Sequence, residues 1–195
     1  ILNEPKIIIE KGLNQGILQT GMQRDFNILF MPVFFMSLII LMVRPLITQM
    51  AILWNREKYA EFSLIVKKLL LYLFIGGIAV TIVAYFIGTP ILSLVFGVVL
   101  SQYTLPFAIL IFAGVLYALA IVFENILTII RKQHLLVGLY VVLLVITKLV
   151  TEPFIYRYHM LGASLGFLIV MIAYLVGIFG IYMVVGRRKG NKNEI

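Results

Sequence analysis

Between Lys68 and Glu124 the chain runs for 55 residues without a single charge. Water cannot solvate such a stretch as a surface, and a soluble domain of this size has no core large enough to hide it. A helix rising about 1.5 Å per residue needs about 20 apolar residues to cross a hydrocarbon layer of roughly 30 Å. The run is therefore too long for one crossing and fits two. Ser101, Gln102, Tyr103 and Thr104 divide it, followed by Pro106, a residue tolerated in a first helical turn. The rest of the chain agrees: of 195 residues 63% are hydrophobic and 12% charged. The fold class that follows is an all-α integral membrane protein.

Five apolar spans are expected, at about 28–53, 69–90, 105–128, 135–155 and 162–185, forming a transmembrane bundle over 28–185. The second is expected to end at the Gly88, Thr89, Pro90 turn, and a tight loop over 156–161 joins the last two. Residues 1–27 form an external segment with the remnant of a preceding helix, and 186–195 a polar tail. In residues 54–68, Tyr59, Phe62, Val66 and Leu69 recur at helical spacing while Arg56, Glu57, Glu61, Lys67 and Lys68 occupy other faces. This pattern predicts an amphipathic elbow lying on the membrane surface, with Trp54 at the interface.

Cations orient the spans. Arg56, Lys58, Lys67, Lys68, Arg131, Lys132, Arg187, Arg188, Lys189 and Lys192 fall on one side, whereas the loops of the other side carry only Arg157. Short cytoplasmic loops are enriched in Lys and Arg, so the C-terminus is expected in the cytoplasm. The formal charge of +8 is thereby explained by spans and loops, with no nucleic acid as partner. An odd number of spans then places the N-terminus outside. Because the chain opens at Ile1 without an initiator Met, an earlier helix and a missing N-terminal half are expected.

The sequence offers no catalytic apparatus. There is no phosphate-binding glycine loop and no nucleophile set, and the absence of cysteine excludes a thiolate centre. His134 and His159 fall at opposite ends of the fourth span and cannot share a metal. No enzyme activity, cofactor or metal is expected.

Chemistry is expected instead at ionisable residues inside spans, where each charge costs about 3 kcal/mol on insertion scales. There are four. Arg44, followed by Pro45, lies toward the cytoplasmic end of the first span, at a depth similar to that of Glu124 in the third, which permits an ion pair. Lys148 and Glu152 stand four residues apart on one face of the fourth span, so they can neutralise each other. For both cations, snorkelling to a head-group layer competes with binding of a substrate anion. In the fifth span Gly162, Gly166, Ala173, Gly177 and Gly180 follow a small-residue spacing that lets helix backbones approach closely.

A family resemblance rests on Asn3, Pro5 and Lys6; on Met31, Pro32, Val33, Arg44, Pro45, Leu46, Thr48, Leu53 and Trp54; and on the basic elbow. Phe96, Gly97 and Tyr103, then Leu127, Thr128, Arg131, Lys132 and Gln133, and finally Leu161, Gly162 and Ala163 continue it. This order resembles the C-terminal half of bacterial polysaccharide-biosynthesis flippases, the Wzx-like members of the multidrug, oligosaccharidyl-lipid and polysaccharide exporter superfamily. The resemblance implies five of the helices of one six-helix lobe in a V-shaped exporter of the bacterial cytoplasmic membrane. It implies alternating access for an undecaprenyl-diphosphate-linked oligosaccharide, with Arg44 first and Lys148 second as cations for the diphosphate, and Glu124 as a coupling site or partner of Arg44. Multidrug or lipid-precursor export on the same fold, and a non-transporting membrane scaffold, are the other readings. A cationic-drug exporter would present carboxylates to its cavity, whereas a diphosphate flippase needs Arg or Lys there.

Overall fold

The computed structural model describes residues 4–14, 16 and 21–190, with backbone alone at 4, 34–42 and 186–190. Every regular element among them is helical. Helix α1 covers Glu4–Asn14, α2 Met22–Asn55 and α3 Tyr59–Val83. A π-helical turn over Ala84–Gly88 leads into α4, Thr89–Phe96. A 3-10 turn over Ser101–Tyr103 precedes α5, Thr104–Ile129, and α6 spans Leu135–Gly190. Among the described residues three stretches are long and apolar enough to cross a membrane: Tyr59–Phe96, Ser101–Ile129 and Leu135–Val185. The expected first span falls within α2, where the side chains of 34–42 lie outside the described residues.

Helix α5 is the centre of the bundle, packed by α2, α3 and α6. Its buried residues include Leu110, Ala113, Leu116 and Ala120 on one side and Ala108, Ile111, Val115, Leu119 and Val122 on the other, which together encircle the helix. An apolar helix with no polar stripe has no face that prefers solvent, so burial on all sides suits it. Small residues set the approach of its neighbours. A side chain at Gly77 of α3 would collide with Val115, and one at Gly88 with Phe107. These two contacts also fix α3 and α5 as antiparallel, so the first turns of α3 stand level with the last turns of α5.

The last two expected spans belong to one helical stretch bent back on itself. His159, with φ 52° and ψ −124°, breaks α6 into an outgoing arm over 135–158 and a returning arm over 160–190. Gly162 lies against the carbonyl of Phe154, Gly166 against Thr151 and Gly177 against Leu139. Three of the five small residues thus allow the arms to touch; Gly180 has open space around it. The expected loop over 156–161 contracts to a single non-helical residue.

Two other boundaries differ from the sequence reading. The second span does not end at Gly88, Thr89 and Pro90, because the helical path continues to Phe96 and stops at Gly97, where φ is 63°. Proline removes one hydrogen bond and crowds the carbonyl four residues earlier, and the wider π turn just before it accommodates both effects. Nor do residues 54–68 form a separate elbow. Three residues after α2 the chain enters α3, and of the periodic face Phe62, Val66 and Leu69 are buried in the bundle while Tyr59 stays exposed.

The ends of α2 and α5 are built alike. Glu57 and Arg131 adopt left-handed φ values of 60° and 57°. Glu57 N–H donates to the Trp54 carbonyl and Lys58 N–H to that of Leu53; Arg131 N–H donates to Thr128 and Lys132 N–H to Leu127. Both are Schellman closures made without glycine. They turn the chain sharply and leave Arg56, Lys58, Arg131 and Lys132 exposed at one end of the bundle.

Candidate functional site

One part-buried polar cluster that joins α5 to α6 is built around Glu124. Its half-buried carboxylate Oε2 accepts a hydrogen bond of 2.8 Å from the Tyr174 hydroxyl on the returning arm. The Tyr140 hydroxyl of the outgoing arm lies 3.5 Å from that of Tyr174. The rings of Tyr117 and Tyr174 stand 6.4 Å apart, and those of Tyr140 and Tyr174 6.1 Å. One carboxylate thus gathers three phenols from α5 and both arms of α6. Seven residues separate Tyr117 from Glu124, two helical turns, which sets them on one face of α5. Asn125 turns away and donates to the Ile121 carbonyl at 2.8 Å.

The four ionisable residues expected inside spans are not brought together. Arg44 is exposed on α2, and it does not form the ion pair with Glu124 that their depths permit. The Glu124 carboxylate is engaged by Tyr174 instead. The expected neutralisation of Lys148 by Glu152 does not occur either. Glu152 pairs with Lys11 of α1 at 3.1 Å, since α1 packs across the outgoing arm and presents its lysine there. That hydrogen bond, reinforced by the carboxylate charge, holds the Lys11 ammonium above its ordinary pKa of 10.5. Both side chains are well exposed, so the pair contributes little to stability. Lys148 is exposed and forms no ion pair among the described residues.

The end of the bundle near Lys11 carries further polar contacts. Arg24 pairs with the buried Asp25 at 2.9 Å at the start of α2, Asp25 lies within electrostatic reach of Tyr103, and Lys6 stacks over Phe30. At the opposite end Trp54 packs on Tyr59 and Phe62, with ring centroids 5.0 and 5.2 Å apart, and Lys58 binds Glu61 at 2.8 Å. His134 lies in the turn between α5 and α6 and His159 at the break in α6. Among the described residues no group of three His, Asp or Glu side chains could hold a metal ion.

The tyrosine cluster was missed in the sequence because Tyr117, Tyr140 and Tyr174 read as apolar residues of three separate spans. The available signal was a hydroxyl inside each span, a group that seeks a hydrogen-bond partner in a medium without water. No family model, no curated protein and no solved structure matches this chain.

Proposed function

We propose that this chain is the membrane-embedded C-terminal lobe of a transporter that flips an undecaprenyl-diphosphate-linked oligosaccharide across the bacterial cytoplasmic membrane. In this reading α2, the α3–α4 stretch, α5 and the two arms of α6 each cross the bilayer once. The turns carrying Arg56, Lys58, Arg131 and Lys132 face the cytoplasm, as does the C-terminus. The chain then supplies five helices of a six-helix lobe, and an N-terminal half completes the cavity for alternating access.

The observation that carries this reading is that Arg44 and Lys148 lie exposed on long apolar helices without a carboxylate partner among the described residues. A cation in such a place calls for an anion from elsewhere, and a diphosphate supplies one. The resemblance over Arg44, Pro45, Leu46 and Thr48 and over the later Gly, Pro and interfacial positions adds support. A second reading, export of a cationic compound on the same fold, is favoured by the half-buried Glu124.

The test is complementation. A strain relying on the gene for this chain, carrying Arg44→Ala or Lys148→Ala, is expected to lose most of its surface polysaccharide at unchanged protein abundance, and Arg44→Lys to restore part of it. Intact polysaccharide in both alanine variants sinks the diphosphate role, and loss in Glu124→Gln alone shifts weight to the second reading.

A further inference from the structure

At the end of the bundle formed by the α2–α3 and α5–α6 turns, exposed cations outnumber the acids beside them. Lys58 is paired with Glu61, but Lys67, Lys68, Arg131 and Lys132 are exposed and form no ion pair among the described residues. The antiparallel register of α3 on α5 puts these four at the same end. Lys67 and Lys68 flank the buried face formed by Phe62, Val66 and Leu69 and so emerge on the outward side of α3. Directly along the helix from Lys68, at the three-, four- and seven-residue spacings of one face, and with the first of them four residues from Lys67, Leu71, Tyr72 and Ile75 are 54%, 69% and 56% exposed. The outward face of α3 is therefore a cationic head on an apolar ladder.

We propose that this face selectively holds anionic phospholipid, with the phosphate and its net negative head group on Lys67 and Lys68 and the acyl chains along Leu71, Tyr72 and Ile75. Charge complementarity chooses the occupant. A zwitterionic lipid fits the ladder equally well but gains little from two adjacent ammonium groups, whereas an anionic head group gains from each. Arg131 and Lys132 raise the local positive potential from the neighbouring turn. The proposal rests on the placement of α3 in a membrane and is independent of what the protein transports.

The single tryptophan is a built-in reporter, since Trp54 packs on Phe62 little more than a turn before Lys67. The full chain is reconstituted into phosphatidylcholine vesicles containing either brominated phosphatidylglycerol or brominated phosphatidylcholine, and quenching of Trp54 gives the relative binding constant. At low ionic strength the anionic lipid is expected to be preferred severalfold. In K67Q/K68Q the preference should fall toward one, with each lysine accounting for up to about fivefold, and added salt should weaken it in the unsubstituted chain. Lys11→Gln, at the opposite end, should leave it unchanged. Equal quenching by the two lipids in the unsubstituted chain overturns the proposal, as does a preference that persists in K67Q/K68Q when circular dichroism shows the helices intact.

Discussion

Among single residues, Tyr174 has the most to lose from a small change. Its ring is packed in the core and its hydroxyl supplies the hydrogen bond to Glu124. Tyr174→Phe keeps the ring and removes the donor, leaving a half-buried carboxylate without that partner. Hydrogen bonds between helices in membranes average about 0.6 kcal/mol, and a charged acceptor raises the value, so a loss of about 1 kcal/mol is expected. Unfolding of the purified chain in detergent by titration with dodecyl sulfate measures it. Glu124→Gln, which still accepts from the phenol, should cost less; a larger loss in Glu124→Gln would mean that the carboxylate charge, not the hydrogen bond, sustains the contact. Sequence depth suggested Arg44 for Glu124, and four-residue spacing on one face suggested Lys148 for Glu152. Depth is one coordinate, and partner choice depends also on which way each helix is turned, which Tyr174 and Lys11 decided.

Among the elements, the bent-back α6 concentrates the constraints. Gly162 sits against the backbone carbonyl of Phe154, whereas Gly180 faces open space. Gly162→Ala should therefore force the arms apart and cost about 2 kcal/mol. Gly180→Ala should be neutral or slightly stabilising through helix propensity. The two substitutions, compared in the same dodecyl sulfate titration, separate packing from composition, and equal effects would show that the arms do not meet at Gly162. His159 holds a backbone conformation that favours glycine. His159→Gly should relieve strain and raise stability by about 1 kcal/mol, and a loss of stability would indicate that the imidazole makes a contact outweighing that strain. The glycine spacing in the fifth span was legible as a packing motif, but which helix it met was not. The Schellman ends at Glu57 and Arg131 gave no sequence signal, because Glu and Arg suit ordinary helix, and the Gly88, Thr89, Pro90 signal read as a helix end where the chain instead passes through a π turn into α4.

For the whole molecule, helix α5 is the organising element, enclosed by α2, α3 and α6, with Lys11 of α1 reaching Glu152 on the outgoing arm. The outer faces of α4 and of the outgoing arm of α6 remain apolar and exposed, with Leu94 and Val95 on the first and Val137 and Leu149 on the second, a surface compatible with helices bordered by lipid. What the sequence alone determined was that a charge-free run of 55 residues suits hydrocarbon better than water, and the all-helical fold with three long apolar stretches among the described residues is compatible with that. It also indicated long apolar helices, since the length a crossing needs follows from rise per residue, and among the described residues three stretches meet that length. The tertiary structure alone decided the neighbours. In an apolar medium hydrophobicity no longer separates inside from outside, so which face of each helix is buried, and which carboxylate meets which phenol or lysine, depends on shape and hydrogen bonding between segments far apart in the chain.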